Sequence, residues 1–429
     1  MQVAILHYHL HTGGVTRIIG SQIRGLSEAD KKCEMVVLCG TGEGQESLFG
    51  VPVLEHPGLQ YSKLERTGIN YLNESAKIRG FIKKHAKGFI LHCHNPNLGK
   101  NPALSLAIYQ LAREGYRIVN HCHDFAEDRP RNMDALNAMV HETGLTTGSI
   151  LYPDLPAYHF AVLNSCDHRR ILNSAIPEDR VHLLPNPVAM ESADPAKTSR
   201  ENRDGIMNQL QLDRKKKICT YPVRAIRRKN LGEYLLLAEL FKDSCQFLVT
   251  QPPQNPDELP GYIHWKEFSL QHDIGMKFEA GMIVNHEDLI RISDFCITTS
   301  SREGFGMVFL EPWLAGTPVA GRNLPCITAD LMRYGMELPG LYDHILVQTE
   351  KGPADFKDLD PAEQEEFIIR IIQEPGEKDK LHRMNPFLAS LFAGIKPGIM
   401  ERNREIILNQ FSVANYGKRL LALYKSLPG

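Results

Sequence analysis

Short runs of Val, Ile and Leu alternate with stretches of helical periodicity along almost the whole chain. QVAILHY, CEMVVLC, GFILHCH, RIVNHCH and HFAVLNS have the length and composition of buried strands in the first half. KICTYPV, QFLVTQ, DFCITTS, TPVAG and HILVQ play the same part in the second. Between them, apolar positions recur at helical spacing over 15–29, 72–86, 101–115, 166–174, 230–242 and 361–373. Such alternation predicts an α/β protein with parallel sheets covered on both faces. Residues 189–214 are polar and lose the strand pattern, which predicts a junction between two Rossmann-like, doubly wound domains, 1–190 and 215–410. Ligands bind outside the carboxyl ends of strands in such sheets, so two of them facing each other would make a cleft. The final segment, 411–429, carries an amphipathic helix over 411–426. Residues 126–157, rich in Pro, Asp, Thr and Gly, are too long for a plain connection and read as a lid or substrate loop.

Composition narrows the classes. The chain has 429 residues, 42% hydrophobic and 23% charged, which excludes wholesale disorder. A net charge of −2 supplies no field for nucleic acid. No apolar run approaches the roughly 20 residues that span a bilayer, and MQVAILHYH has no signal-peptide pattern. The nine cysteines are scattered without a CxxC, so the expected setting is a reduced cytoplasm.

Candidate chemistry clusters at predicted strand ends. In HYHLHTGGVTRII, 7–19, Gly13 and Gly14 make a strand-to-helix turn whose amides suit a phosphate. The spacing is not GxGxxG, which argues against NAD. HCHN and HCHDF place His92/His94 and His121/His123 as i, i+2 pairs. That spacing is compatible with a metal, or with one His of each pair packed in the sheet and the other lining the site. His123, followed by Asp124 at a strand end, is the best ligand-facing candidate. In YPVRAIRRKNL, Arg224 and Lys229 sit before a helix and are expected to converge on a diphosphate. Arg227 and Arg228 read as solvated.

The stretch SSREGFGMVFLEPWLAG, 300–316, reads as strand exit, glycine turn and helix. A continuous helix would separate Glu303 and Glu311 by about 12 Å at ~1.5 Å per residue, beyond the roughly 5–9.5 Å of a glycosidase acid pair. The two acids therefore suit different hydroxyl-bearing parts of one ligand. The turn Gly304–Phe305–Gly306–Met307–Val308 lies between them, with amides placed for a diphosphate. A nucleotide-diphospho-sugar has that order of groups. A further helix near 74–88 carries Lys77, Arg79, Lys83, Lys84 and Lys87. This is a solvated face or, less simply, a lipid-facing one.

EGFGMVFLE with its E-x7-E spacing, Arg224–Lys229–Asn230, LPNPV at 184–188 and the early TGGV together resemble the retaining GT-B glycosyltransferases of the GT4-type (group 1) family. The resemblance covers nearly the whole chain. It implies a nucleotide-sugar donor (UDP, GDP or ADP) held mainly by the second domain and a hydroxyl acceptor on the first. Arg224 and Lys229 would stabilise the leaving diphosphate, Glu303 would face the donor sugar, and Glu311 would bind the ribose. His123 would lie beside the donor sugar, and Asn186 of LPNPV would belong to the donor site. The final helix would cross back to the first domain. Val223 stands where the family often has Gly, and Pro187 where Gly often follows Pro-Asn, so donor base and acceptor stay open. The expected activity is transfer of a hexose with retention, with no cofactor and no resident metal. The rivals are a metal-dependent hydrolase using the HxH pairs and a non-catalytic sugar-nucleotide-binding protein.

Overall fold

The computed structural model describes residues 1–62, 70–188 and 200–428. Part of the predicted junction, 189–199, lies outside the described residues, and the rest opens with a helix, Arg200–Gln209. The chain divides into two compact units, Met1–Ala189 with Asn409–Gly429, and Met190–Leu408.

The first unit is built on strands β1 (Gln2–His7), β2 (Glu34–Cys39), β3 (Ser47–Leu48), β4 (Val51–Glu55), β5 (Ile90–His94), β6 (Ile118–Cys122), β7 (Tyr158–Val162) and β8 (Val181–Leu183). Their order in the sheet is β3-β4-β2-β1-β5-β6-β7-β8, parallel except for the β3–β4 hairpin. Alternate side chains of β1 enter different cores: Val3 and Ile5 join one apolar cluster, Ala4 and Leu6 the other. This is the period-two signature of a strand buried on both faces.

The second unit carries β9 (Lys217–Arg224), β10 (Cys245–Gln251), β11 (Met276–Lys277), β12 (Phe295–Thr298), β13 (Val319–Arg322) and β14 (Leu341–Tyr342), in the order β11-β10-β9-β12-β13-β14 and parallel throughout. In each sheet the chain order reverses beside the first strand, at β1/β5 and at β9/β12. These are the switch points at which open α/β sheets hold ligands.

Two expectations need correction. HILVQ is no member of the parallel sheet: β15 (Leu346–Thr349) pairs antiparallel with β16 (Gly352–Asp355) in a sheet of its own. A two-residue link, Glu350–Lys351, followed by Gly352 at φ 111°, permits a hairpin, whereas a parallel neighbour would need a crossover. Residues 126–157 are not a loop. They form a turn, Ala126–Asp128, and helices Pro130–Thr143 and Thr147–Leu151 around a small core that includes Leu106, Leu136, Met139 and Ile150. The Pro and Gly that suggested a loop are helix punctuation, Pro130 at the helix start and Gly144 in a left-handed C-cap at φ 68°.

The last helix, Val413–Ser426, packs on the first, Gly14–Ala29, within the first unit. Their backbones approach at Gly25 and Gly417, where a Cβ on Gly417 would lie 2.0 Å from the Gly25 carbonyl oxygen. Among the described residues, no helix is long and apolar enough to cross a membrane.

Candidate active site

At the β9/β12 switch point the loop after β9 is fastened to the loop after β12. Thr299 Oγ1 donates to the carbonyls of Lys229 (2.9 Å) and Asn230 (3.1 Å), and Ser301 N donates to the Arg228 carbonyl at 2.9 Å. Asn230 takes a left-handed conformation, φ 51°, and turns the chain into the helix Leu231–Leu240. A second layer stiffens this base. Glu233, fully buried on that helix, accepts from Arg322 and from Tyr342 Oη at 2.8 Å.

The loops bring one carboxylate against two cations. Glu303 accepts from Lys229 Nζ through Oε1 and from Arg228 Nη1 through Oε2 at 2.7 Å, and Ser300 Oγ donates to it at 2.6 Å. The Glu303 and Lys229 side chains are 7% and 9% exposed, so this pair is buried, while Arg228 is 43% exposed. Burial alone would raise the Glu303 pKa, but Lys229 and Arg228 outweigh it and hold the carboxyl below its usual range. Burial lowers the Lys229 pKa, with Glu303 opposing and Arg228 adding to the fall. An anion entering here meets two cations already positioned and competes with Glu303 for both.

Arg228 is exposed, as the reading of a solvated residue has it, and in addition its guanidinium reaches Glu303. Arg227 is exposed, and its backbone amide donates to Glu258. Arg224 is the last residue of β9 rather than a loop residue, and its Nε donates to Gln251 Oε1 at 3.3 Å.

The glycine turn also differs from expectation. Gly306 is left-handed at φ 79° and opens a single 3₁₀ turn, Met307–Phe309, followed by a helix of only Glu311–Leu314. That helix begins only at Glu311, with Pro312 second, so the 303–311 segment is no continuous helix and has little dipole to offer an anion. What remains is backbone geometry. The amides of Met307 and Val308 precede the first bond within the turn, Phe309 N to the Gly306 carbonyl at 2.9 Å. A Cβ on Gly306 would press on the Phe309 ring at 2.8 Å, and Phe305 is itself buried. Glu311 lies 3.3 Å from His286 Nε2, with 13% of its side chain exposed.

The β1/β5 switch point in the first unit has another chemistry. Gly13, extended at φ −176°, precedes the helix that starts at Gly14, and a Cβ on Gly14 would meet nothing within 4 Å. His92, His94 and His121 are 0–1% exposed and His123 is 9%. Both members of each HxH pair are therefore buried, which corrects the expectation of one packed and one lining. Asn95, left-handed at φ 60°, accepts through Oδ1 from the amides of His123 (2.6 Å) and Asp124 (3.1 Å) and so shapes the turn that carries His123. Burial pushes His7, His92 and His123 down to about 3. Burial and the neighbouring rings hold His94 and His121 well below the ordinary value. Asn186 is 8% exposed, and its Oδ1 is buried without a hydrogen-bond partner among the described residues. On the helix Tyr71–His85, Lys77 pairs with Glu74 while Arg79 and Lys83 share Glu114, and Lys84 and, just beyond the helix, Lys87 are exposed.

Ser300, His286, Asn95 and the ion-paired role of Arg228 escaped the sequence reading. Ser300 sits just past a strand end and was open to inference on that ground. His286 and Asn95 carry no local signal, because their partners are distant in sequence.

Two doubly wound units with these strand orders give the chain the GT-B fold of glycosyltransferases. No protein-family model matches it. The chain is 27% identical over 329 residues to mannosylglucosyl-3-phosphoglycerate synthase of Petrotoga mobilis, covering 72% of this chain and 62% of that one. It thus spans less than two thirds of that relative's length. It is 24% identical to mannosylglucosylglycerate synthase of the same organism, covering 92% of this chain and 98% of that one. Anabaena HepE, solved in complex with UDP and glucose, superposes with a TM-score of 0.64 over the full length of both chains at 12% identity.

Proposed function

We propose that this protein is a glycosyltransferase that moves a hexose from a nucleotide-diphospho-sugar to an acceptor hydroxyl with retention of configuration. The observation that carries the reading is the convergence of Lys229 and Arg228 on Glu303 at the β9/β12 switch point. A donor diphosphate would exchange with Glu303 for these cations, with Arg224 at the strand end as a third. The freed Glu303 would turn to the sugar hydroxyls. The amides of Met307 and Val308, in the turn that Gly304, Phe305 and Gly306 open, would face the phosphates. Glu311 would hold the ribose. Charge developing on the leaving diphosphate would be met by fixed cations and amides, a preorganised electrostatic stabilisation. With that charge met by the protein, no resident metal is called for.

The names of the two curated relatives add an acceptor class, a small glycoside of glyceric acid with or without a phosphate. UDP and glucose in the HepE complex support a nucleotide-sugar donor. The test is a thermal-shift panel of UDP, GDP and ADP and their hexoses, followed by turnover with glucosylglycerate and its 3-phosphate. The anomer of the product is read by NMR, and the assay is repeated in EDTA. Stabilisation by one nucleotide with no product on any acceptor would favour a binding protein. A second reading rests on His92, His94 and His121, whose nitrogens lie within 4.8 Å of one another. Stoichiometric zinc and activity lost on chelation would favour a metal-dependent hydrolase.

A further inference from the structure

Behind the ion-paired Glu303 lies a short chain of hydroxyls whose direction the carboxylate fixes. Glu303 Oε1 accepts from Lys229 Nζ and Oε2 from Arg228 Nη1, so the carboxyl is ionised and both oxygens act as acceptors. Ser300 Oγ, 2.6 Å from Oε1, must therefore give its one proton to Glu303. Tyr221 Oη lies 2.6 Å from the same Ser300 Oγ. With the serine proton spent, the proton between these two oxygens belongs to the tyrosine. The Lys229 carbonyl, 3.2 Å from Tyr221 Oη, has its own donor in Thr299 Oγ1 at 2.9 Å. The chain runs from Tyr221 to Ser300 to Glu303, wholly within the second unit. Tyr221 and Ser300 are fully buried, and the Tyr221 ring packs against Tyr234 at 5.2 Å between centroids. The sheet core, not the loops, holds the first hydroxyl.

Two kinds of partner hold Glu303, and an entering diphosphate acts on only one of them. Lys229 and Arg228 are cations that an anion can claim. Ser300 is a neutral, buried hydroxyl whose proton is already committed to Oε1. Lys229 and Arg228 from the loop after β9 and Tyr221 from the strand itself are ionisable groups that face the carboxyl. Once the cations turn to a diphosphate, burial remains and drives Glu303 toward protonation. Ser300 opposes this, because a donor to the charged form favours that form. A hydroxyl that itself accepts a hydrogen bond is the stronger donor, since chained bonds polarise one another. Tyr221 supplies that bond. Ser300 engages only Oε1, which leaves Oε2 to whatever replaces Arg228.

We propose that Ser300 and Tyr221 are positioning residues that keep Glu303 ionised and tethered through Oε1 while a diphosphate holds Lys229 and Arg228. Only the diphosphate rests on the glycosyl-transfer reading; the chain of hydroxyls stands without it.

The test follows the Glu303 carboxyl by ¹³C NMR in the full chain labelled with ¹³Cδ-glutamate, its signal assigned by loss in Glu303→Gln. Titrations are run with and without inorganic pyrophosphate, the simplest diphosphate. In the parent protein pyrophosphate is expected to raise the Glu303 midpoint, because it takes the cations, yet leave the carboxyl ionised at pH 7. In Ser300→Ala with pyrophosphate the midpoint should rise by roughly one pH unit more, a tenfold change in ionisation. Without pyrophosphate the same variant should move it far less, because Lys229 and Arg228 still hold the carboxylate. Tyr221→Phe keeps the buried ring and should show the same pattern at a fraction of the size; it decides the matter if Ser300→Ala does not fold. With an active donor–acceptor pair, the acid limb of kcat should move up with the midpoint, while that of kcat/KM, which reports the free enzyme, stays in place. A merely loosened loop would not separate the two limbs. Variant midpoints equal to the parent's under pyrophosphate would overturn the proposal, as would a shift of equal size without it. A parent whose Glu303 ignores pyrophosphate would sink the exchange of Glu303 for a diphosphate, and with it the proposed transfer site as well. A Glu303 that responds as expected in a protein with no turnover would sink the glycosyl-transfer reading while leaving the anchoring of Glu303 standing.

Discussion

The two switch points occupy the same place in the same topology, yet one is ionic and the other neutral. At β9/β12 a buried carboxylate is ion-paired with Lys229 and Arg228, which hold it below its usual range. At β1/β5 five buried histidines, His7, His92, His94, His121 and His123, give up their charge. The difference follows from partners. Lys229 and Glu303 each bring an opposite charge that offsets desolvation, while the histidines have only one another, an amide and a phenol. The fold supplies a position, and the side chains decide whether it stores charge or directional hydrogen bonds.

The largest effect that would break this contrast is acid sensitivity. A histidine held neutral in the fold has a folded pKa below its unfolded value of ~6.5. The unfolded chain then binds more protons, so stability is present above that value and is lost as pH falls toward about 3. Each such ring contributes a slope of about 1.4 kcal/mol per pH unit in that window. Peptide-level hydrogen exchange is expected to show the first unit opening before the second as pH falls through that range. Both tryptophans, Trp265 and Trp313, lie in the second unit, so their fluorescence should change later. Simultaneous opening of both units would remove the contrast.

At the ionic site, Lys229→Ala is expected to lower kcat by roughly 10²–10³, as for loss of one oxyanion donor. Arg224→Ala carries the same expectation. Arg228→Ala should also be measurable, and its double mutant with Lys229 should fall short of the product of the single losses, because the groups share one ligand. Steady-state kinetics on the four variants decide this; unchanged kcat in both Lys229→Ala and Arg224→Ala would dismiss the mechanism.

Glu311→Gln should weaken nucleoside diphosphate binding by about 1.5–3 kcal/mol, the scale of a hydrogen bond to a charged group. Calorimetric titration with the nucleotide found in the thermal-shift panel measures it. Equal affinity would remove Glu311 from the site. The smallest effect should come from Arg227→Ala, whose exposed side chain makes it the control for Arg228. A kcat loss matching that of Lys229→Ala would show that the loop 227–229 is arranged differently with ligand bound.

Most of the fold was legible because it rests on local periodicity. Helices predicted over 15–29, 72–86 and 101–115 appear as Gly14–Ala29, Tyr71–His85 and Pro102–Arg113, and β1, β2, β5 and β12 fall within the apolar runs that predicted them. The misreadings share one cause. Pro and Gly mark helix starts, caps and hairpins as well as loops. That is why 126–157 looked like a loop, the Gly306 turn looked like a helix start, and HILVQ looked parallel.

By itself the sequence determined the alternation of strands and helices, the two-unit plan and the strand ends where charged and glycine-rich segments gather. Those are properties of neighbours three, four or two residues apart. Only the tertiary structure decided that Arg228 turns to Glu303 across 75 residues and that Tyr424 meets His92 across 332. Such pairings depend on how sheets order their strands and where a returning helix docks. The close approach of Gly25 to Gly417, which lets the last helix reach the histidines, leaves no periodicity in the chain to be read.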